Sequence, residues 1–146
     1  MAANLTVAEL FKEANLTPHG PVQWGAPIPD KSPGIYVVAL TGDANASSCT
    51  IDADYLEPSE RQRWIPNQPI IYIGQTTKRT LTKRLGEFYR HIYGAKSPHS
   101  GGEAVKLLHC DLWVYWSPSP DPRDSELLML CAFRKRVGKL PFANRS

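Results

Sequence analysis

The sequence lacks the marks of a secreted, membrane-spanning or disulfide-bonded protein. No apolar run approaches the roughly 20 residues that a membrane span requires, so we expect no membrane partner. The first residues, Met1 to Leu10, hold neither a basic start nor an apolar core before a cleavage site, which favours a soluble cytoplasmic protein. The 3 cysteines, Cys49, Cys110 and Cys131, include no Cys-x-x-Cys pair, and we interpret them as free thiols.

Motifs for several common chemistries are missing as well. No Gly-x-Ser-x-Gly elbow is present, so a serine hydrolase of that type is not supported. The 4 histidines do not have metal-ligand spacing, and the Asp52-x-Asp54 pair has no EF-hand glycine or terminal glutamate. Gly94-Ala95-Lys96-Ser97 resembles the end of a phosphate-binding loop, but no predicted strand precedes it.

The charges that are present are segregated along the chain. A length of 146 residues fits one domain, and the formal net charge of +3 is too small to identify a partner. The acidic residues are concentrated between Asp43 and Glu60, whereas residues 134 to 146 contain no acid. A second basic segment, residues 78 to 96, contains Glu87 as its one acid and six basic residues: Lys78, Arg79, Lys83, Arg84, Arg90 and Lys96. This pattern makes a polyanion partner plausible, with a solvated face as the simpler alternative.

The N-terminal segment is predicted to be a helix followed by irregular chain. Thr6 and Glu9 form a capping-box pattern that opens a short amphipathic helix ending near Asn15. The prolines between Pro18 and Pro33 forbid a helix and largely forbid a central strand. We therefore divide the chain into residues 1–33, a helix and wrapping segment, and residues 34–146, the main domain.

The main domain is predicted to be a small α/β (α+β) sandwich, a three-stranded, mainly antiparallel sheet flanked by helices. The insertion after the first strand has a possible strand at Cys49–Ala53 and a possible helix at Pro58–Trp64. Runs rich in β-branched and aromatic residues predict the strands, 34–40, 69–74 and 111–116. Periodicity and caps predict the helices, 80–93, 102–109 and 122–138.

Two of these helices carry a charge where an apolar residue is expected. Arg84 falls on the stripe of Leu81, Leu85, Phe88 and Ile92. Glu126 falls on the centre line of the stripe made by Met129, Leu130, Phe133 and Val137. A structural ion pair and a functional site explain this equally well.

The tyrosines favour a functional site. The ordered set Gly34-Ile35-Tyr36, Tyr72-Ile73-Gly74, Leu81-x-x-Arg84, Glu126 and Asn144 resembles the GIY-YIG nuclease family over about residues 34 to 144. Either triplet alone is a weak signal, since a tyrosine in a strand is ordinarily core packing. The resemblance depends on five elements in the right order with matching secondary structure between them.

The resemblance implies an endonuclease that hydrolyses phosphodiester bonds in DNA with Mg²⁺ or Mn²⁺. It makes Tyr36 the base or water-orienting phenol, Tyr72 its hydrogen-bonding partner, and Arg84 the residue that steadies the phosphate charge. Glu126 becomes the sole protein ligand of the metal ion, and Asn144 closes the end of the site. The basic segment supplies the expected phosphate contacts, Lys78, Arg79, Lys83 and Arg90. A monomer and a homodimer are both compatible with the sequence.

One position departs from the family pattern. The family commonly has His or Tyr one turn after the arginine, where this chain has Phe88. His91, or less favourably Tyr89, is the nearest substitute. Phe88 also favours the alternative that the chain is a non-catalytic nucleic-acid-binding or interaction module on the same fold.

Overall fold

The computed structural model describes residues 4–145 as one α+β assembly. No helix among these residues is long and apolar enough to cross a membrane. The helices are α1 (Val7–Lys12), α2 (Pro58–Arg61), α3 (Leu81–Arg90), the 3₁₀ helix η1 (Ser100–Leu107) and α4 (Pro122–Val137). The strands are β1 (His19–Gln23), β2 (Gly34–Ala39), β3 (Ile70–Thr76) and β4 (Trp113–Pro118).

The sheet has four antiparallel strands in the order β1-β4-β2-β3, so the predicted count of three was wrong. The additional strand, β1, lies in the proline-rich segment that was predicted to be irregular. It occupies an edge, and its pairing with β4 is interrupted between His19 and Val22. Pro21 is tolerated there because an edge strand does not need every backbone N–H for pairing.

The two faces of the sheet are covered by different helices and have different chemistry. One face is packed by α1 and α4 into a core that includes Phe11, Met129 and Phe133. The other face is covered by α3 and η1 and contains Tyr36 and Tyr72. Strand alternation divides β2 between them, with Ile35 and Val37 in the first core and Tyr36 and Val38 in the second.

Several local predictions require correction. The insertion contains no strand over residues 49–53, and α2 is shorter than expected. Helix α3 begins where predicted, with the Thr80 side chain accepting from the Lys83 backbone N–H at 3.1 Å, but it ends at Arg90. Ile92 therefore lies beyond the helix and is 74% exposed, outside the apolar stripe. The cysteines are free thiols, as predicted.

Helix α4 confirms its predicted ends, and its predicted inward residues Met129, Leu130, Phe133 and Val137 belong to or pack against the core. Proline lies in its first turn, and Gly138 at the C-cap has φ of 99°, a left-handed conformation that glycine adopts readily. The buried residues are Pro122, Ser125, Met129 and Phe133. Glu126 is half-buried beside this stripe rather than on its centre line. The centre of the buried face lies on the Ser125 side of the helix, so Glu126 lies at its edge.

Candidate functional site

Tyr36 and Tyr72 meet on the face of the sheet covered by α3 and η1. Their ring centroids are 6.1 Å apart, and both side chains are buried. Tyr36 lies opposite Gly74 in the ladder between β2 and β3. A Cβ atom at Gly74 would lie only 2.5 Å from Cζ of Tyr36, so glycine is required for the tyrosine ring to cross this strand. The glycine of the second triplet thus fixes the position of the tyrosine of the first.

His99 is the residue that contacts the Tyr36 hydroxyl. Its Nε2 is 2.5 Å from Tyr36 Oη, and its ring stacks on Phe88 with centroids 3.8 Å apart and planes 8° from parallel. Burial, and to a smaller extent the Arg84 charge, lower the pKa of His99 to about 3. The histidine is therefore neutral at physiological pH. Its Nδ1 is buried and has no hydrogen-bond partner among residues 4–145.

His99 was not among the predicted site residues, since the histidines do not have metal-ligand spacing in the sequence. Phe88, which cannot exchange a proton, supplies the flat surface on which His99 stacks. The local signal was the glycine pair that follows, Gly101-Gly102. A Cβ atom at Gly102 would lie 2.8 Å from Cζ of Tyr72, so the glycine lets η1 pass close over the tyrosines.

His91 does not replace Phe88 at the tyrosines. Its Nε2 lies 2.9 Å from Oε2 of Glu103, and its Nδ1 accepts from the His99 backbone N–H at 3.0 Å. Glu103 also accepts from the Gly94 backbone N–H and from Arg145. Both ring nitrogens of His91 are therefore used to hold the segment that carries His99. Tyr89, the other substitute, donates its hydroxyl to the Ala26 carbonyl at 2.8 Å.

Both site tyrosines are neutral phenols in this structure. Burial raises the pKa of Tyr36 well above its usual range, and the Arg84 guanidinium opposes that rise without cancelling it. Burial, the neighbouring Tyr36 and the Glu126 carboxylate also raise the pKa of Tyr72. The charges of Arg84 and Glu126 thus both affect the two tyrosines, although Arg84 and Glu126 line different cavities.

Arg84 is held in place by two acceptors. Its guanidinium donates to the Pro98 carbonyl at 2.8 Å and to Oε1 of Glu87 at 3.2 Å. Glu87 also pairs with Arg79 at 3.1 Å. The Pro98 contact connects α3 to the segment just before His99. Arg84 thus keeps its charge near Tyr36 and also fixes the segment that leads into His99.

Glu126 lies on the wall of a cavity of about 550 Å³ beside α4. Burial raises the pKa of its carboxyl group, and within the described part of the chain the carboxylate forms no ion pair. Residues 4–145 contain no group of three or more His, Cys, Asp or Glu side chains arranged to hold a metal ion. A single accessible carboxylate fits only a hard cation that keeps most of its ligands as waters and phosphate oxygens.

The side-chain amide of Asn144 is hydrogen-bonded to the backbone of β3. Its Oδ1 accepts from the Ile73 N–H at 3.0 Å, and its Nδ2 donates to the Ile73 carbonyl at 2.9 Å. The Ala143 N–H adds a bond to the Ile71 carbonyl at 3.0 Å. The buried amide therefore pairs with the edge strand much as a neighbouring strand would, and it positions the strand that carries Tyr72.

The predicted phosphate contacts separate into two groups. Lys78 and Arg79 line a cavity of about 240 Å³ together with Arg84 and Arg123. Lys83 and Arg90 are exposed on α3 and do not line that cavity. Arg123 was not among the predicted residues, because its position at the start of α4 brings it to this cavity only in the folded chain.

Comparisons with protein-family models, with curated proteins and with solved structures found no match to this chain.

Proposed function

We propose that this protein is a divalent-metal-dependent DNA endonuclease of the GIY-YIG type that hydrolyses phosphodiester bonds. The proposal is carried by the contacts around two adjacent buried tyrosines: Tyr36 contacts His99, and Arg84 is anchored to the Pro98 carbonyl next to that histidine. Glu126 on α4 adds a carboxylate that forms no ion pair within residues 4–145. Phosphodiester hydrolysis requires a positioned water, positive charge on the non-bridging oxygens and stabilisation of the leaving oxygen. The same four residue types meet those requirements.

In this proposal Tyr36 orients the attacking water, and His99 orients Tyr36. A phenol with a strongly raised pKa is a hydrogen-bonding group rather than a preformed base at neutral pH. The short contact between Tyr36 Oη and His99 Nε2 limits the directions in which the hydroxyl can donate or accept. Any proton that Tyr36 takes from water during attack requires it to release its own, and His99 is the adjacent acceptor.

Arg84 and Tyr72 bind the scissile phosphate in this proposal. Arg84 retains guanidinium N–H donors beyond its bonds to Pro98 and Glu87, and a planar guanidinium matches two phosphate oxygens. Tyr72 lies beside Tyr36 and supplies a second hydroxyl for a phosphate oxygen or for the water.

Glu126 would hold Mg²⁺ or Mn²⁺ with one carboxylate, leaving the other positions to waters and phosphate oxygens. The bound ion would neutralise charge on the phosphate and stabilise the leaving oxygen. The wall of the cavity around Glu126 also carries Arg123 and Arg134, which attract a phosphate backbone to the carboxylate.

The test is cleavage of supercoiled plasmid by purified protein with Mg²⁺ or with chelator, for wild type, Glu126→Gln and Asp124→Asn. Asp124 is exposed in the first turn of the same helix, so its variant controls for loss of one negative charge. We expect metal-dependent nicking by wild type and Asp124→Asn and none by Glu126→Gln. Equal cutting by all three proteins would exclude Glu126 as the metal ligand.

The second candidate function is a nucleic-acid-binding module without turnover. It is favoured by Tyr36, which is 1% exposed with its hydroxyl already bonded to His99. Wild-type protein that is folded and binds DNA, yet leaves plasmid and branched DNA uncut in Mg²⁺ and in Mn²⁺, would establish this function instead.

A further inference from the structure

Three adjoining cavities form one groove along α4, and Glu126 lies in the middle one. The first, of about 240 Å³, shares Gln75 and Arg123 with the central cavity of about 550 Å³. The central cavity shares Arg134 and Leu140 with a third, of about 430 Å³. The groove therefore runs from the turn after β3, past Glu126, to the C-terminal segment.

Cations lie at both ends of this groove, and Glu126 is the single acid among its lining residues. The first cavity is lined by the near cluster, Lys78, Arg79, Arg84 and Arg123. The third cavity is lined by the far cluster, Arg63, Arg134, Lys139 and Arg145. A polyanion lying along the groove would thus meet positive charge on both sides of the carboxylate.

Within residues 4–145, two cations of the far cluster form no ion pair. Arg63 pairs with Glu60, and Arg145 pairs with Glu103 at 3.0 Å. Lys139 donates to the uncharged Gln62 carbonyl at 3.2 Å. Within residues 4–145, Arg134 forms no ion pair. Arg134 and Lys139 therefore keep their full charge for a ligand.

The spacing of the two clusters matches a nucleic-acid backbone. Arg123, Glu126, Leu130 and Arg134 follow one face of α4 at helical intervals. At a rise of 1.5 Å per residue, Arg123 and Arg134 are roughly 16 Å apart along the axis, or about five phosphate steps of one duplex strand. A small anion would occupy one cluster, whereas a polynucleotide would bridge both.

We propose that the far cluster is a second phosphate-binding site, which holds the DNA backbone on the opposite side of the scissile phosphate from the near cluster. The position of the scissile phosphate rests on the proposed function, whereas the charge and continuity of the groove do not. Arg134 is its central residue because it lines both the middle and the far cavity.

Helix α4 offers a matched control. Lys135 follows Arg134 in sequence but lines a different cavity, with Glu13, Ala132 and Arg136. Arg134→Glu and Lys135→Glu change the net charge equally in the same exposed turn of the helix. Any difference between the two variants therefore reports position rather than total charge.

The experiment measures the affinity of wild type and both variants for a fluorescent DNA duplex of about 20 base pairs, roughly two helical turns, over a range of salt concentration. Chelator is present, so binding is read without cleavage, and circular dichroism checks folding. We expect Arg134→Glu to lose about tenfold or more in affinity and to reduce the slope of log affinity against log salt by about one. Lys135→Glu should keep the wild-type slope.

Equal affinity and slope for the two variants would overturn the second site, as would a wild-type protein that binds no duplex at low salt. The plasmid assay separates this result from the proposed function. If the wild type cleaves plasmid while the two variants bind DNA alike, the proposed nuclease function is retained and the second site is rejected. A selective defect of Arg134→Glu in a protein that never cleaves supports the second site and removes the nuclease.

Discussion

Two buried tyrosines on neighbouring strands face opposite sides of the sheet and differ in the residues that surround them. Tyr36 on β2 lies beside Tyr72, Phe88 and His99, and its hydroxyl contacts an ionisable ring. Tyr115 on β4, opposite Val37, lies in the apolar core under α1 and α4. Its hydroxyl donates to the Thr41 carbonyl at 2.8 Å. Both are 1% exposed, so burial alone does not distinguish a functional tyrosine from a structural one.

The two tyrosines differ in the group that their hydroxyl contacts. A backbone carbonyl can only accept, so Tyr115 has one fixed role as a donor. An imidazole can accept or donate, and Arg84 and Glu126 add opposite charges to the environment of Tyr36. Both faces contain a hydrophobic core, but the Tyr36 hydroxyl contacts a titratable side chain, whereas the Tyr115 hydroxyl bonds to a backbone carbonyl.

The largest expected effect on stability is on the apolar face. Phe133→Ala removes a fully buried ring from the core under α4 and should lower the free energy of unfolding by about 3–5 kcal/mol. Urea denaturation measures the loss. Leu128→Ala on the same helix, where Leu128 is 47% exposed, should cost less than about 0.5 kcal/mol. Similar losses for both variants would contradict the assignment of this face as the stabilising core.

The next effect is on the face that contains Tyr36. Gly74→Ala places a Cβ atom 2.5 Å from Cζ of Tyr36 and should destabilise the protein by about 1–3 kcal/mol while displacing both site tyrosines. We expect plasmid cleavage by the folded fraction to fall. Gly86→Ala is the control, because its Cβ would meet only the Arg90 guanidinium at 4.0 Å and helix propensity favours alanine. Undiminished cleavage by Gly74→Ala would contradict the close packing at Gly74.

A further effect, confined to acid pH, is a pH dependence of stability caused by His99. The pKa of His99 is about 3 in the folded protein, below the usual 6.5, so between these values the unfolded state binds one more proton. Wild type should therefore lose about 1.4 kcal/mol per pH unit as pH falls through this window, and His99→Gln should lack that loss. Urea denaturation from about pH 7 to about pH 5 compares the two. Parallel curves would show that His99 is not buried in its neutral form.

Periodicity and caps were enough to predict most of the fold. The capping box of α1, the ends of α4 and the strands around both triplets follow from residues close together in sequence. The edge strand β1 was not predicted, because whether Pro21 is tolerated depends on its position in the sheet. The inward stripe of α4 was predicted, but the position of Glu126 at its edge was not, because leucines lie on more than one side of the helix.

The site was predicted in part for a related reason. Tyr36, Tyr72, Arg84 and Glu126 were selected by their order along the chain. The fold places the two tyrosines side by side with the Arg84 charge near Tyr36, and it places Glu126 on the wall of a separate cavity. His99 and Arg123 were missed because their contacts are made between distant segments, and no spacing in the sequence marks them. The hydrogen bonds of Asn144 and His91 to backbone groups could not be read from the residue types either.

The most direct test of the account is plasmid cleavage in Mg²⁺ by Tyr36→Phe and Tyr115→Phe, with DNA affinity and unfolding free energy measured on the same preparations. We expect Tyr36→Phe to bind DNA and to lose about 10²- to 10⁴-fold in cleavage rate. Tyr115→Phe should keep the wild-type rate and lose about 1 kcal/mol of stability with its bond to Thr41. Full cleavage by Tyr36→Phe would remove the phenol from the mechanism and contradict the functional distinction between the two faces.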